Sequence, residues 1–316
     1  MRHFIAILGV GALGMVASVQ AGTWRDDLSE GPFLDLAADP LYQSVGRINF
    51  SIGGNSYLSS GVLISPDWVL TAAHVVGGND YLGGGISNLN FSFTFGSSVT
   101  TFAAAEWFTH PGWATTAGNI AAGYDLGLLH LGQSVSGVEA AALYPSDSLN
   151  IQPGTLVGYG ETGTGLTGSV LGTAGFKHAG ENMIDAQGDG VTISSNLLFV
   201  DFDQPGTDAN NVTGGDVPLP MEYMIAPGDS GGGLFITENN QTFLVGIASF
   251  RWGILDGVSD STYGDVAGFT SVTSQLDWIS SITGVPEPSS QWLVGLALAG
   301  WGFLRGSRSQ RTRMEE

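Results

Sequence analysis

The stretch Ala226-Pro-Gly-Asp-Ser-Gly-Gly-Gly-Leu-Phe235 sets one serine, Ser230, among four glycines and directly after Asp229. Glycine at such density lets a backbone turn sharply and leaves little to cover the hydroxyl. Alone, the stretch is equally a tight turn. A serine hydroxyl is a poor nucleophile until a base removes its proton. That base is usually a histidine held in orientation by a buried carboxylate. The reading of Ser230 therefore turns on whether the chain supplies a base, an acid and a scaffold.

Four histidines lie beyond the first few residues: His74, His110, His130 and His178. His74 ends the run Trp68-Val-Leu-Thr-Ala-Ala-His74, where an apolar strand gives way to small residues that leave an imidazole edge open. Asp125 stands at the mouth of the apolar run Leu126–Leu131, where an unpaired charge is costly and a histidine N–H is a natural partner. A satisfied core histidine and a turn aspartate are the plainer alternatives for these two. His110, His130 and His178 are expected to serve structure. No two histidines show metal-ligand spacing, and no metal or cofactor is expected. Asp201, Asp203, Asp208, Asn210 and Asn211 fit either a calcium loop or, more simply, a solvated acidic loop.

The chain has 316 residues, 43% hydrophobic and only 12% charged, with 49 glycines. That composition fits a turn-rich β protein with a sizeable core. A net charge of −20 argues against nucleic acid as a partner and suits a self-repelling extracellular protein. With no cysteine, disulfide scaffolds and thiol catalysis are excluded.

The two ends read as targeting segments. Residues 1–21 carry Arg2, an apolar stretch from Phe4 to Val16, and the small-x-small site Val19-Gln20-Ala21. This is the pattern of a secretory signal peptide cut by signal peptidase. At the other end, Val285-Pro-Glu-Pro288 precedes an uncharged run, Ser289–Leu304, and then Arg305, Arg308, Arg311 and Arg313. The order of these three parts resembles a PEP-CTERM sorting signal, which implies a dedicated membrane sorting enzyme. An ordinary single-span anchor is the alternative for 285–316. Either way the domain lies outside the cytoplasm, in the periplasm, at the cell surface or beyond.

Between the ends, short alternating runs predict strands. Arg47–Ile52 and Asn90–Phe95 alternate polar and apolar residues. Gly61–Ile64, Trp68–Leu70, Leu126–Leu131 and Phe243–Ser249 read as more fully buried strands. Val272, Leu276 and Ile279 fall at helical spacing in a closing amphipathic helix over 271–282. Residues 175–220, rich in Gly, Asp and Asn, are expected to be a long surface excursion. Residues 22–41 read as an N-terminal or pro-segment before the main domain, 42–284.

Thr-Ala-Ala-His74, Asp125-Leu-Gly-Leu-Leu and Gly228-Asp-Ser-Gly-Gly232 occur in the order His, Asp, Ser. With Ser60-Gly-Val-Leu-Ile-Ser65, His110-Pro-Gly-Trp113, Gly158-Tyr-Gly160, Val245-Gly-Ile-Ala-Ser249 and Gln275-Leu-Asp-Trp-Ile279, the chain resembles the trypsin/chymotrypsin-like serine proteases from about Tyr42 to Ile282. The resemblance implies an all-β fold of two antiparallel six-stranded barrels with a short C-terminal helix. It implies hydrolysis of protein or peptide substrates through an acyl-enzyme, with Ser230 as nucleophile, His74 as base and Asp125 orienting His74. It places the oxyanion hole at the N–H groups of Gly228 and Ser230, and substrate-binding positions at Met224, Ser249, Phe250 and Arg251. Met224 at the pocket base, where an aspartate would select basic residues, argues against cleavage after Lys or Arg. No Ile-Val-Gly-Gly start lies between Ala21 and Tyr42. In the family the new amine pairs with the aspartate before the serine, here Asp229. Either the activating cut falls elsewhere or Asp229 has another partner. The alternatives to an endopeptidase are a non-catalytic surface or matrix binding protein on the same fold and, more remotely, an esterase.

Overall fold

The computed structural model describes residues 22–285, apart from 78–84, 96–97, 147–148, 150, 189, 191–192 and 216. The proposed leader and nearly all of the proposed sorting tail lie outside the described residues. No helix among the described residues is long and apolar enough to cross a membrane.

The chain enters through strand β1 (Gly22–Trp24) and helix α1 (Gly31–Ala37). Six strands then close an antiparallel barrel: β2 (Val45–Ile52), β3 (Asn55–Ser65), β4 (Trp68–Thr71), β5 (Ile86–Phe95), β6 (Ser98–Thr109) and β7 (Gly127–Leu131), in the order β2-β3-β4-β7-β6-β5. A short helix, α2 (Ala73–Val76), follows β4, and α3 (Pro111–Thr115) follows β6. Alternation works as expected here: Ile48, Phe50 and Ile52 of β2 and Leu89, Phe91 and Phe93 of β5 are buried, while the residues between them are more polar.

The second half holds β8 (Ala142–Leu143), β9 (Gln152–Gly158), β10 (Thr162–Thr164), β11 (Gly168–Val170), β12 (His178–Ile184), β13 (Ala186–Gln187), β14 (Leu197–Asp201), β15 (Tyr223–Met224), β16 (Gly233–Glu238), β17 (Gln241–Gly253), β18 (Asp265–Ser271) and the closing helix α4 (Leu276–Thr283). A small sheet, β11-β10-β1-β15, ties the entering strand to the second half. The larger sheet runs β12-β9-β16-β17-β18-β14-β13, with β8 beside β17. Strand β17 explains its unbroken apolar run: Leu244 and Ile247 join the core shared with the first barrel, while Phe243, Val245 and Ala248 join the core of the second half.

Two expectations need correction. The first half is a ladder-closed six-stranded barrel, but in the second, among the described residues, no ladder joins β14 to β12. That seam is bridged instead by Asn182, whose Nδ2 donates to the carbonyls of Asp201 at 2.7 Å and Tyr223 at 3.0 Å. Nor is 175–220 a surface excursion throughout, since it supplies β12, β13 and β14. Leu197-Leu-Phe-Val200 is a continuous apolar run, buried on both faces, and polar neighbours mask it in composition.

Asn182 is itself buried, so Asn182→Ala would strand two carbonyls away from water. The expected cost is about 1–3 kcal/mol in urea denaturation. An unchanged midpoint would mean that the seam does not depend on this side chain.

Candidate active site

Asp125 lies just before β7 and is wholly buried. Its Oδ1 accepts the backbone N–H of His74 at 2.9 Å, and its Oδ2 faces His74 Nδ1 at 2.7 Å. Ser249 completes the set, donating its hydroxyl to Oδ2 at 2.6 Å. Ser249 is the residue at which the pairing of β17 with β18 shifts register. A bulge of this kind re-aims one side chain out of the regular alternation. Burial alone would raise the Asp125 pKa, but the His74 charge and the donated hydrogen bonds outweigh it and hold the carboxyl below its ordinary value. Burial works against charge on His74 as well, and the Asp125 carboxylate again wins, raising the imidazole above its ordinary value. With Nδ1–H engaged by the carboxylate, the neutral ring keeps its lone pair on Nε2. The side chain is 23% exposed, so the ring is not sealed from solvent.

Ser230 is gripped by the first barrel through its carbonyl, which accepts Ser60 N–H at 2.9 Å and Ser59 Oγ–H at 2.7 Å. Ser60 Oγ donates to the Gly228 carbonyl at 3.0 Å, and the Ser60 carbonyl accepts from Thr71 Oγ1 at 2.8 Å. Gly231 N–H bonds Ala248, next to Ser249, at 2.8 Å. The Ser230–Gly231 segment is thus fastened between β3, which pairs with the strand leading to His74, and the strand that carries Ser249.

The glycines around it now have reasons. Gly231 has φ of 82°, and a Cβ there would meet Thr71 Oγ1 at 2.0 Å and the Ser60 carbonyl at 2.3 Å. Gly228 has φ of 96° and shapes the turn before the serine. The Pro227 carbonyl is held by Glu161 N–H at 2.6 Å, and the Asp229 carbonyl by Gly232 N–H at 2.7 Å. In a trans peptide the N–H points opposite its carbonyl. The N–H groups of Gly228 and Ser230 are therefore turned away from those partners. Neither donates to a protein acceptor among the described residues, whereas Asp229, Gly231 and Gly232 all do.

The expected substrate-binding positions behave differently from one another. Met224 is fully buried and packs in the second core, and Phe250 is nearly so, against Phe199 and Trp252. Ser249 spends its hydroxyl on Asp125. Arg251 Nη1 reaches Ser261 Oγ at 2.5 Å, and Ser261 in turn bonds the Ile225 carbonyl, next to Met224. Burial lowers the Arg251 pKa, while Asp229, Asp265, Glu161 and Asp260 pull it the other way. Asp229 has a partner within the chain: its oxygens accept Gly160 N–H at 2.7 Å and Ala226 N–H at 2.8 Å. Burial raises its carboxyl to about 7 against the pull of those amides and of Arg251.

The remaining histidines pack as structural groups. His110 accepts Gly112 N–H and stacks on Tyr124. His130 stacks on Trp68, and His178 stacks on Trp24 and contacts Glu30 Oε1 at 3.0 Å. Sequence reasoning missed Ser59 and Thr71 as supports of the site, gave Ser60 no role beyond a motif match, and read Ser249 only as a substrate position. Ser60-Gly and Thr71-Ala-Ala flank the recognised motifs, but no spacing rule marks them as cross-barrel donors.

A family model described as Trypsin matches residues 42–279. The chain is 27% identical to chymotrypsin-like elastase family member 1 of Rattus norvegicus over 243 residues, covering 74% of this chain and 82% of that protein. It is 26% identical to proproteinase E of Bos taurus, covering 75% and 85% respectively. Among solved structures, the protease Anisep from Arthrobacter nicotinovorans matches with a TM-score of 0.50 at 14% identity, over 72% of this chain and 90% of that one, a likeness of fold.

Replacing Asp125 with Asn removes the group that raises the His74 pKa and leaves only burial, which lowers it. An NMR titration of the His74 ring is expected to give a midpoint above 6.5 in the parent protein, falling in Asp125→Asn. Equal midpoints would contradict the assigned cause.

Proposed function

The chain belongs to the trypsin family and is a serine endopeptidase, and from that premise we propose that it is exported and cleaves proteins through Ser230, His74 and Asp125. The observation that carries this reading is the tether of His74: Nδ1 is tied to a fully buried carboxylate, which leaves Nε2 as a base. In the proposed reaction Ser230 Oγ attacks the scissile carbonyl while His74 Nε2 takes its proton. The carbonyl oxygen, now an oxyanion, receives the N–H groups of Gly228 and Ser230. Each such donor typically contributes roughly 3–4 kcal/mol to lowering the barrier. Collapse expels the amine, which leaves with the proton from His74, and an acyl-enzyme remains. Water then repeats the sequence with His74 as base, releasing the acid and restoring Ser230. Asp125 keeps its charge throughout and stabilises the imidazolium, the role it has in the worked template drawn from this family.

Substrate choice follows from Arg251. Its guanidinium is bonded to Ser261 beside the Met224–Ile225 segment, under the electrostatic pull of several carboxylates, and in the proposed pocket it would leave room for a small side chain only. The proposed preference is for a small residue before the scissile bond. Export rests on residues 1–21 and 285–316 as read above. Cleavage after Ala21 would free the amino group of Gly22 at the head of β1. That glycine leaves no room for a Cβ beside the Tyr223 ring, on which Asp229 acts electrostatically.

Two outcomes are expected. A peptide library should be cut after small residues and not after Lys or Arg, with Ser230→Ala abolishing turnover; strong cutting after basic residues would overturn the pocket assignment. Because the base must be neutral to accept a proton, kcat/KM should rise with pH through the His74 midpoint, above 6.5. A rate that falls across that range would contradict His74 as the base.

A further inference from the structure

A cavity of about 330 Å3 lies between the entering segment of the chain and the first barrel. Leu34 of α1, Ala38 just after it, Val45 of β2, Phe93 of β5, Tyr159 and Phe176 give it a largely apolar wall, and Lys177 borders it. Leu34 is 38% exposed and Phe176 52%, so the cavity opens to solvent. His74, Asp125 and Ser230 take no part in its wall. Leu34 to Pro40 precede Tyr42, where the family match begins, so the cavity owes part of its shape to residues that the match does not cover.

Lys177 is the only lysine in the chain. Its Nζ donates to the Tyr42 carbonyl at 3.1 Å. An ammonium has three N–H groups, and the other two have no protein acceptor among the described residues. Burial lowers the amine to about 8, with no carboxylate acting against it. A second cation stands close by. Arg47 lies two residues along β2 from Val45, on the same face. Its Nη1 is 3.8 Å from the place a Cβ would take on Gly175, two residues before Lys177. Its charge acts on Tyr159 in the cavity wall, and its Nε is buried with no acceptor.

These two cations are exceptional in so acidic a chain. Of the four Lys and Arg residues described, Arg25 pairs with Asp27, and Arg251 feels four carboxylates. Neither Arg47 nor Lys177 lies within ion-pair distance of a described acid. The acids are spent elsewhere: Asp201 and Asp203, expected in a solvated loop, are instead buried in the second half. A cation drawn partly out of water without a counter-charge is costly. With a net charge of −20, acids to pair it are plentiful. Two unpaired cations beside one apolar cavity therefore fit a ligand that brings the negative charge. A small inorganic anion would leave the apolar wall uncovered, whereas a carboxylate on a hydrocarbon body meets both halves of the site.

We infer that this cavity binds an apolar monocarboxylate, with Lys177 Nζ donating to the carboxylate and the hydrocarbon lying against Leu34, Phe93 and Phe176. A cavity of this size is at the lower end for small-molecule sites and suits a body of roughly six to ten carbons. Arg47 adds positive potential at the charged end. The site is separate from the proteolytic chemistry and does not depend on it.

The test uses the full chain carrying Ser230→Ala, which prevents self-cleavage, labelled with 13C-lysine so that Lys177 gives the one side-chain NMR signal. Octanoate should shift that signal and bind with a Kd of about 1 mM or below. Octanol, which lacks the charge, and acetate, which lacks the body, should each bind about tenfold more weakly or worse. By calorimetry, Lys177→Met should weaken octanoate about tenfold, and Lys177→Arg should restore most of the loss. Ala38→Trp, at an exposed position of the wall, should block binding while leaving Tm unchanged. N-acetyl-Leu-Leu, run beside octanoate, separates a peptide C-terminus from a fatty acid as the source of the carboxylate; tighter binding of either supports the inference. It is overturned if octanoate leaves the lysine signal unmoved, if octanol binds as well as octanoate, or if Lys177→Met binds octanoate as the parent does.

Discussion

The site is organised by one requirement: the Asp125 carboxylate sits where water cannot reach it and must be satisfied by protein donors. An unpartnered ion there would cost several kcal/mol. The first barrel supplies two donors, both from His74, and the second half supplies the third, from Ser249. A single carboxylate thus joins the two halves of the fold. It fixes the tautomer of the imidazole and requires the bulge that turns Ser249 inward.

The glycine-rich turn answers a second constraint, close approach of backbones. Ser230 is held through its carbonyl by Ser59 and Ser60, so its neighbours must pass within contact of β3 and β4. Gly231 is where this contact is tightest, and any side chain there would displace Thr71. With the Pro227 and Asp229 carbonyls fixed by Glu161 and Gly232, the two free N–H groups follow from peptide planarity. The proposed oxyanion hole would thus be built from hydrogen bonds on the far side of each peptide plane.

Much of this was legible in the sequence, for physical reasons. Alternation in β2 and β5 and the unbroken run in β17 reflect burial on one face or two, which composition records directly. The pairing of His74 with Asp125, and the proposal of Ser230 beside them, started from short segments rich in small residues, which a sequence displays directly. The rest depends on contacts between distant segments. Ser249 donates to Asp125 only because a bulge shifts the register, and no local pattern encodes that shift. Arg251 was expected to bind substrate, but its bond to Ser261 and the acids around it, from Glu161 to Asp265, come together only in the folded chain. The run 175–220 misled because Gly, Asp and Asn outnumber the few apolar residues of β14, and because its acids point inward to a seam that only the folded sheet creates.

The central claim is that Ser230 is activated by His74 rather than merely exposed in a turn. Its most direct measurement is covalent labelling with a fluorophosphonate, which reacts with an activated serine, followed by mass spectrometry of the labelled peptide. The account expects one label on Ser230, with labelling lost in His74→Ala while the fold is retained. Labelling of Ser230 at the same rate without His74, or no label in the correctly processed protein, would contradict it.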